Sequence, residues 1–248
     1  MTESDLLEAI IDPKKAENQG DIWTFVAVLP ETSFVHTTHT AERTLEQAQI
    51  FVGAIKAQSD GQAPFFQSDS WFYDKALMDN YSVYEEPVYK GIGRPPTKPI
   101  QRVDPELRYA QVHKKRDGKG KIESITTRIV LGEIDHIIDT FDQAKRAKTV
   151  NTDYVESRNG KFRKDDARLI RKTLCHSKKA DIHKAHIGFL AQVYNYTRTV
   201  DDLKILVNPD AKKFEKKFSH RTPAMAEKII DCVLSIKELL FQRPKNLP

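Results

Sequence analysis

Apolar and polar positions divide the first 60 residues into a hairpin and a helix. The apolar segment 22–29 and the β-branched segment 33–40 flank a short turn-like stretch, which predicts two antiparallel strands. Thr44 with Gln47 forms a capping-box pattern, and apolar residues follow it at helical spacing. The pattern therefore predicts an amphipathic helix over 44–58.

Shorter apolar runs predict three more strands. The run 64–67 is followed by Ser68-Asp69-Ser70, which places Asp69 at the carboxyl-terminal tip of a strand. Segments 107–116 and 121–131 flank Asp-Gly-Lys-Gly at 117–120, a strong turn signal, so we predict a second hairpin there.

The rest of the chain predicts helices and two basic connections. Proline-rich residues 91–106 are interpreted as an extended basic segment, and 209–222 as a basic loop. Helical spacing of apolar residues predicts four helices, near 132–146, 153–173, 179–199 and 223–241.

The order hairpin, helix, strand is similar to ribonuclease-H-like folds, in which three antiparallel strands precede the first helix. The missing first strand is predicted at 6–12, directly after Asp5, although this segment also fits a short helix. We therefore expect an α/β mixed sheet with flanking helices over 1–175, with a basic inserted segment at about 90–131. A helical C-terminal extension is expected over 176–248.

Composition excludes several classes of protein. The 248 residues are 39% hydrophobic and 30% charged, as in folded soluble proteins. The sequence has no apolar run of membrane-spanning length and no secretory signal pattern. We therefore expect no association with a membrane and a cytoplasmic, nucleoid-associated location. Two cysteines are too few for a disulfide scaffold or a cysteine-rich zinc module.

The net charge of +5 hides a strong asymmetry along the chain. Residues 1–89 contain five Lys or Arg and fifteen Asp or Glu, a net −10, so the remainder is +15. The basic excess is concentrated in 90–128, with eleven basic against four acidic side chains, and in 156–179, with nine against three. A polyanion such as nucleic acid fits this distribution, and so do ordinary solvated charged faces.

Three acidic residues suit metal-dependent phosphodiester chemistry. Such chemistry uses two divalent ions, Mg²⁺ or Mn²⁺, held by carboxylates from different elements. Asp5, Asp69 and Glu156 meet this requirement, and Glu156, Asn159 and Arg163 share one helix face. The alternative is that Asp69 caps the next helix and Glu156 is a solvated acid in a first turn.

Residues 151–179, NTDYVESRNGKFRKDDARLIRKTLCHSKK, resemble a block found in insertion-sequence transposases related to insertion sequence one. These are Asp-Asp-Glu (DDE) transposases. Four more segments resemble family blocks in the same order: 21–44, 66–73 (FQSDSWFY), 108–115 (RYAQVHKK) and 221–226 (RTPAMA).

The resemblance implies a DNA transposase that cleaves phosphodiesters and transfers strands of an insertion element. It implies that Asp69 is the second metal-binding acid and Glu156 the third. Asp5 matches the first, in a strand whose neighbouring family residues are changed, and Asp21 is the alternative first acid.

The resemblance also implies partners. DNA ends and target DNA are expected, in a homo-oligomer. Only four residues precede Asp5, where family members have a DNA-recognition region. The chain is therefore expected to be a truncated reading frame, a subunit that relies on a separate DNA-recognition protein, or a derivative that has kept only its fold. A catalytically silent, domesticated derivative that binds DNA or acts as a regulator is the alternative function. The predicted DNA-contacting residues are Arg94, Lys114, Lys115, Arg158, Asn159, Lys161, Arg163, Lys164, Arg168, Arg171 and Lys172.

Overall fold

The structure is a computed structural model that describes residues 22–70, 72–88, 98–170, 173–175 and 177–241. The predicted first strand at 6–12 therefore lies outside the described residues. The same holds for five predicted site residues, namely Asp5, Asp21, Arg94, Arg171 and Lys172.

The predicted N-terminal hairpin and helix are confirmed. Strands β1 (Trp23–Leu29) and β2 (Phe34–Ala41) pair antiparallel, and helix α1 spans Leu45–Ala57. Thr44 caps α1, because its hydroxyl accepts the N–H of Gln47 at 3.3 Å. The side chain of Gln47 bonds to His39 on β2 at 2.8 Å, so the helix start is also tied to the hairpin.

The second predicted hairpin is confirmed and belongs to a three-stranded mixed sheet. Strand β3 (Phe65–Ser68) is followed by helix α2 (Tyr73–Asn80). Strand β6 (Arg108–Arg116) runs parallel to β3 and antiparallel to β7 (Ile122–Leu131).

Part of the predicted extended connection is a small hairpin. Strands β4 (Ser82–Glu85) and β5 (Ile100–Val103) pair antiparallel, and β5 lies within the segment interpreted as a plain connector. Pairing with a partner about 18 residues away gave no local signal in a proline-rich stretch.

Three of the predicted helices form where expected, one of them shorter. Helices α3 (Ile134–Gln143), α4 (Asp153–Asp165) and α5 (Ala180–Thr197) are present. The prediction that α4 continues to residue 173 is wrong. Asp166 has an extended backbone, and its side chain accepts the N–H of Arg168 at 3.0 Å, which starts a separate 3₁₀ turn at Ala167–Leu169.

The prediction that the C-terminal part is helical is also wrong in detail. Strands β8 (Val200–Leu206) and β9 (Phe218–Arg221) form a hairpin around the basic loop. The predicted helix 223–241 is instead two short helices, α6 (Pro223–Ala226) and α7 (Ile236–Phe241). The single long helix was wrong because Lys228 has a left-handed backbone, with a φ of 62°, a conformation that ends a helix.

Buried side chains form two hydrophobic clusters. The N-terminal core joins β1, α1, α2 and β6, with Phe25, Phe51, Leu77 and Tyr109 all at most 3% exposed. The α4–α5 core is smaller and contains Val35, Phe162, Ala191 and Tyr194. The described chain is thus a mixed α/β fold with small sheets, and none of its described helices is long and apolar enough to cross a membrane.

Candidate functional site

Asp69 follows the last residue of β3, on a backbone that is fixed on both sides. The Ser68 hydroxyl lies 2.7 Å from the Tyr109 phenol, which in turn donates to the carbonyl of Ser70 at 3.1 Å. Arg43 donates to the Ser70 hydroxyl at 3.1 Å. The Asp69 carboxylate remains exposed, with the Ser70 hydroxyl at 3.5 Å.

Tyr109 is suited to this anchoring role because it stays protonated. Its side chain is 1% exposed, and burial raises the pKa of Tyr109 to about 12. A neutral phenol can donate to Ser70 while it accepts from Ser68. The hydrogen bonds that Tyr109 makes with Ser68 and Ser70 are therefore neutral and do not involve the Asp69 carboxylate.

Glu156 lies in the first turn of α4 and contacts strand β6. Its carboxylate accepts from the Lys114 ammonium and, at 3.1 Å, from the Thr152 hydroxyl. The same ammonium donates to Thr152 at 2.9 Å. The Lys114 side chain is only 13% exposed, whereas Glu156 is 54% exposed. The hydrogen bond from Lys114 lowers the pKa of Glu156 from its ordinary value, and burial opposes this only in part.

Two contacts bring the end of β3 and the start of α4 together. The amide oxygen of Gln67 accepts the backbone N–H of Asn151 at 2.9 Å, and Lys114 reaches Glu156 from β6, next to β3. We call this region the β3–α4 junction, residues 67–69 and 151–156. It places Asp69 and Glu156 at the same end of β3.

The junction contains two of the three predicted acids. Asp5 and its alternative Asp21 lie outside the described residues. Within the described ranges, no group of three or more His, Cys, Asp or Glu side chains converges as a metal site would require. The two described acids are thus brought to one region, and the assignment of a third stays a prediction.

The structure corrects the expected role of Arg158. This residue is 4% exposed, and its guanidinium carbon lies 3.2 Å from the centre of the Tyr194 ring on α5. Burial lowers the pKa of Arg158 from its ordinary value. Because the side chain packs inside the protein, it is not on the surface where it could hold a phosphate. Its spacing of four residues from Phe162 places both on one inward helix face and was an available signal.

The other predicted DNA-contacting residues that the structure describes lie on β6, α4 and the 3₁₀ turn. Lys115 is exposed on β6 and forms an ion pair with Glu123 at 2.9 Å. Asn159 is half-buried on α4. Exposed basic side chains on α4 and the 3₁₀ turn are Lys161, Arg163, Lys164 and Arg168.

Sequence reasoning did not single out two residues of the junction. Thr152 is 8% exposed and forms hydrogen bonds with both Lys114 and Glu156. Gln67 accepts a hydrogen bond from the backbone N–H of Asn151, the residue before Thr152. The Asn-Thr pair that opens the 151–179 block was a signal for Thr152. Gln67 had no comparable signal, because its partner lies 84 residues away.

Comparison with known proteins yields no relative for this chain, since no protein-family model, curated protein or solved structure matches it.

Proposed function

We propose that this chain is the catalytic core of a DDE transposase, which cleaves DNA and transfers strands of an insertion element. The observation that supports this most is the β3–α4 junction. Asp69 and Glu156 are 87 residues apart in the sequence, yet both lie where the end of β3 meets the start of α4. These are the second and third acids implied by the resemblance.

A ribonuclease-H-like arrangement is part of the proposal. The order hairpin, α1, β3 and the parallel pairing of β3 with β6 support it. The strand predicted at 6–12, which lies outside the described residues, would be the remaining strand of this arrangement.

The junction has the donor chemistry that Mg²⁺ or Mn²⁺ requires. Asp69 and Glu156 both present exposed carboxylates, and hard divalent cations prefer carboxylate oxygens. Asp5 would complete the set. When bound, the ions would polarise the scissile phosphate and lower the pKa of the attacking hydroxyl group.

The reaction would proceed in two displacements at phosphorus. Water attacks a phosphodiester, a P–O bond to the 3′ oxygen breaks, and that oxygen leaves as a 3′-hydroxyl. This hydroxyl then attacks a target phosphodiester, forming a new P–O bond and releasing the target's own 3′-hydroxyl. The hydrogen bond from Lys114 lowers the pKa of Glu156 in the free protein, and the exposed basic side chains of α4 would hold the DNA backbone.

Glu156→Gln tests the assignment. We expect Mn²⁺-dependent nicking of supercoiled plasmid, and strand transfer, to fall by about a hundredfold or more, since one metal-binding oxygen is lost. DNA binding without metal should stay equal or become tighter, because a negative charge is removed. The matched control is Glu123→Gln. It breaks the neighbouring ion pair between Lys115 of β6 and Glu123, and it should leave nicking unchanged. Full activity of Glu156→Gln would refute the assignment.

A second function is favoured by one specific contact. The Lys114 ammonium already neutralises the Glu156 carboxylate, as a structural ion pair would in a catalytically silent derivative. Such a DNA-binding or regulatory protein would bind DNA in a salt-sensitive manner, and the unmodified chain would show no Mn²⁺-dependent nicking. Measuring both properties on the unmodified chain separates the two functions. For the transposase, the proposal includes a homo-oligomer that joins two DNA ends.

A further inference from the structure

The loop between β8 and β9, residues 207–217, presents an aromatic side chain to solvent. Phe214 is 96% exposed, although aromatic side chains dominate the energetics of cores and interfaces. The next aromatic residue, Phe218, is half-buried, with the ammonium groups of Lys204 and Lys217 5.1 and 6.0 Å from its ring centre. Phe214 is therefore the aromatic side chain at the tip of this loop.

Hydrogen bonds order the turn that carries Phe214. The N–H of Glu215 donates to the carbonyl of Lys212 at 2.9 Å, which closes a turn around Phe214. The Glu215 carboxylate accepts the N–H of Lys212 at 3.0 Å, and Val207 donates to the carbonyl of Lys217 at 3.1 Å at the base of the loop. The backbone that carries Phe214 is thus ordered before any partner binds, which reduces the entropy cost of binding.

Four lysines flank Phe214 in the sequence of the loop. Lys212 and Lys213 precede Phe214, Lys216 and Lys217 follow Glu215, and all four are exposed. The Lys213 ammonium lies 5.9 Å from the centre of the Phe214 ring. The loop also contains Asp210 and Glu215, but the Glu215 carboxylate is engaged with the turn backbone. The tip therefore combines positive charge with one aromatic face.

We propose that the β8–β9 loop binds unpaired nucleotides of DNA, with a base stacked on Phe214 and neighbouring phosphates held by the lysines. Aromatic rings within basic grooves bind single strands in this way, because every base has a face that stacks. The choice of DNA rests on the proposed function, and the loop is a contact separate from the β3–α4 junction.

A lipid surface fits the loop less well. Insertion into a lipid interface uses a broad apolar face. The turn 212–215 offers only Phe214, while the exposed Leu206 and Val207 lie at the end of β8, at the base of the loop. A single aromatic between two pairs of lysines is the pattern of a base contact.

Substitutions at Phe214 test the proposal without metal, so that the result does not depend on cleavage. Binding of a fluorescent single-stranded oligonucleotide of mixed sequence is measured by anisotropy, beside the same sequence as a blunt duplex. We expect Phe214→Ala and Phe214→Leu to weaken single-strand binding about fivefold or more and to change duplex binding little. Phe214→Trp should bind at least as tightly as the unmodified chain, and its added fluorescence should be quenched by the oligonucleotide.

The matched control is Tyr84→Ala. Tyr84 is another exposed aromatic, 54% exposed on β4, but acidic residues follow it directly, so its loss should leave binding unchanged. The lysines are tested by Lys→Gln substitutions, each of which should flatten the slope of log affinity against log salt by about 0.7 if it removes one phosphate contact.

Two results would overturn the proposal. One is single-strand binding by Phe214→Ala equal to that of the unmodified chain. The other is a lipid result, in which Phe214→Leu binds phosphatidylserine vesicles like the unmodified chain while Phe214→Ala loses vesicle binding. That result would identify a lipid contact. Loss of single-strand binding in Phe214→Ala, together with no nicking by the unmodified chain, would support the loop contact and refute only the catalytic function.

Discussion

The two hydrophobic clusters are held together by different forces. The N-terminal core is apolar and aromatic, with Phe25 stacked near Phe51 at 5.5 Å between ring centres. The α4–α5 core has few apolar members, and two polar side chains are buried beside it. Arg158 lies over Tyr194, and Asn195 is fully buried. The N-terminal core is therefore stabilised mainly by apolar and aromatic packing, whereas the α4–α5 core depends on specific polar partners.

Helix α4 belongs to both environments, and this links the comparison to the candidate site. Glu156 contacts Lys114 of the central sheet, while Arg158 and Phe162 on another face of the helix pack against α5. The position of the proposed metal-binding carboxylate is thus set partly by the polar α4–α5 region. Damage to that region should reach the site, even though no residue of it would touch a substrate.

The largest effect is expected in the N-terminal core. Phe51 is 3% exposed, and Phe51→Ala should lower the free energy of unfolding by about 3–5 kcal/mol, through lost burial and the cavity left behind. Urea denaturation followed by circular dichroism measures it. The neighbouring Ile50 is 48% exposed on the same helix, so Ile50→Ala should change stability by no more than about 0.5 kcal/mol. Equal effects of the two substitutions would contradict this description of the core.

The same difference explains which parts of the fold could be predicted from the sequence. The N-terminal core follows from short-range patterns, since alternation gave the hairpin and helical spacing gave α1, with its Thr44 cap. The β8–β9 hairpin was not predicted and the end of α4 was predicted wrongly, because they depend on a distant strand and on the side chain of Asp166, respectively. Helical spacing of apolar residues indicates which face of a helix would be buried. It does not indicate whether the segment will instead pair with a distant strand.

The candidate site divides in a similar way. The apolar run before Ser68-Asp69-Ser70 predicted that Asp69 ends a strand, and the helix predicted from residue 153 placed Glu156 in its first turns, as the structure shows. The contacts that bring them together, from Gln67 to Asn151 and from Lys114 to Glu156, join residues 84 and 42 positions apart. No local pattern encodes such pairs. The burial of Arg158 was missed because a basic residue in a basic segment was interpreted as a surface group.

A smaller but still large effect is expected at Asn195. Its side-chain oxygen accepts the N–H of Val35 at 2.9 Å, and its amide donates to the carbonyl of the same residue at 2.8 Å. Asn195→Leu keeps a similar volume but leaves both backbone groups of Val35 buried without a partner. We expect the free energy of unfolding to fall by about 2–4 kcal/mol, measured by urea denaturation.

Gln192 provides the control on the same helix. It is exposed on α5, so Gln192→Leu should have little effect on stability. If Asn195→Leu is tolerated as well as Gln192→Leu, the α4–α5 region is held by apolar packing after all, and the contrast between the two clusters fails.

The smallest of these effects is expected at Glu31, which fixes the segment before α4. Its carboxylate accepts the backbone N–H groups of Lys145, Arg146 and Ala147 at 3.0–3.2 Å. Burial alone would raise the pKa of Glu31, but these three donors and the Arg146 charge outweigh it, so the pKa is lowered. Glu31→Gln should cost about 1–2 kcal/mol near neutral pH, because the hydrogen bonds lose their charge.

The pH dependence identifies the charge as the cause. A carboxyl whose folded-state pKa lies below its unfolded value stabilises the fold at pH above the unfolded value. That stabilisation disappears as the pH falls through the folded-state pKa. The stability difference between the unmodified chain and Glu31→Gln should therefore be full at pH 7 and shrink steadily below about pH 4. Glu42→Gln, at an exposed position after β2, should show no such difference at either pH. A Glu31→Gln effect that is the same at pH 7 and pH 3 would mean that the shape of the side chain, and not its charge, fixes this segment.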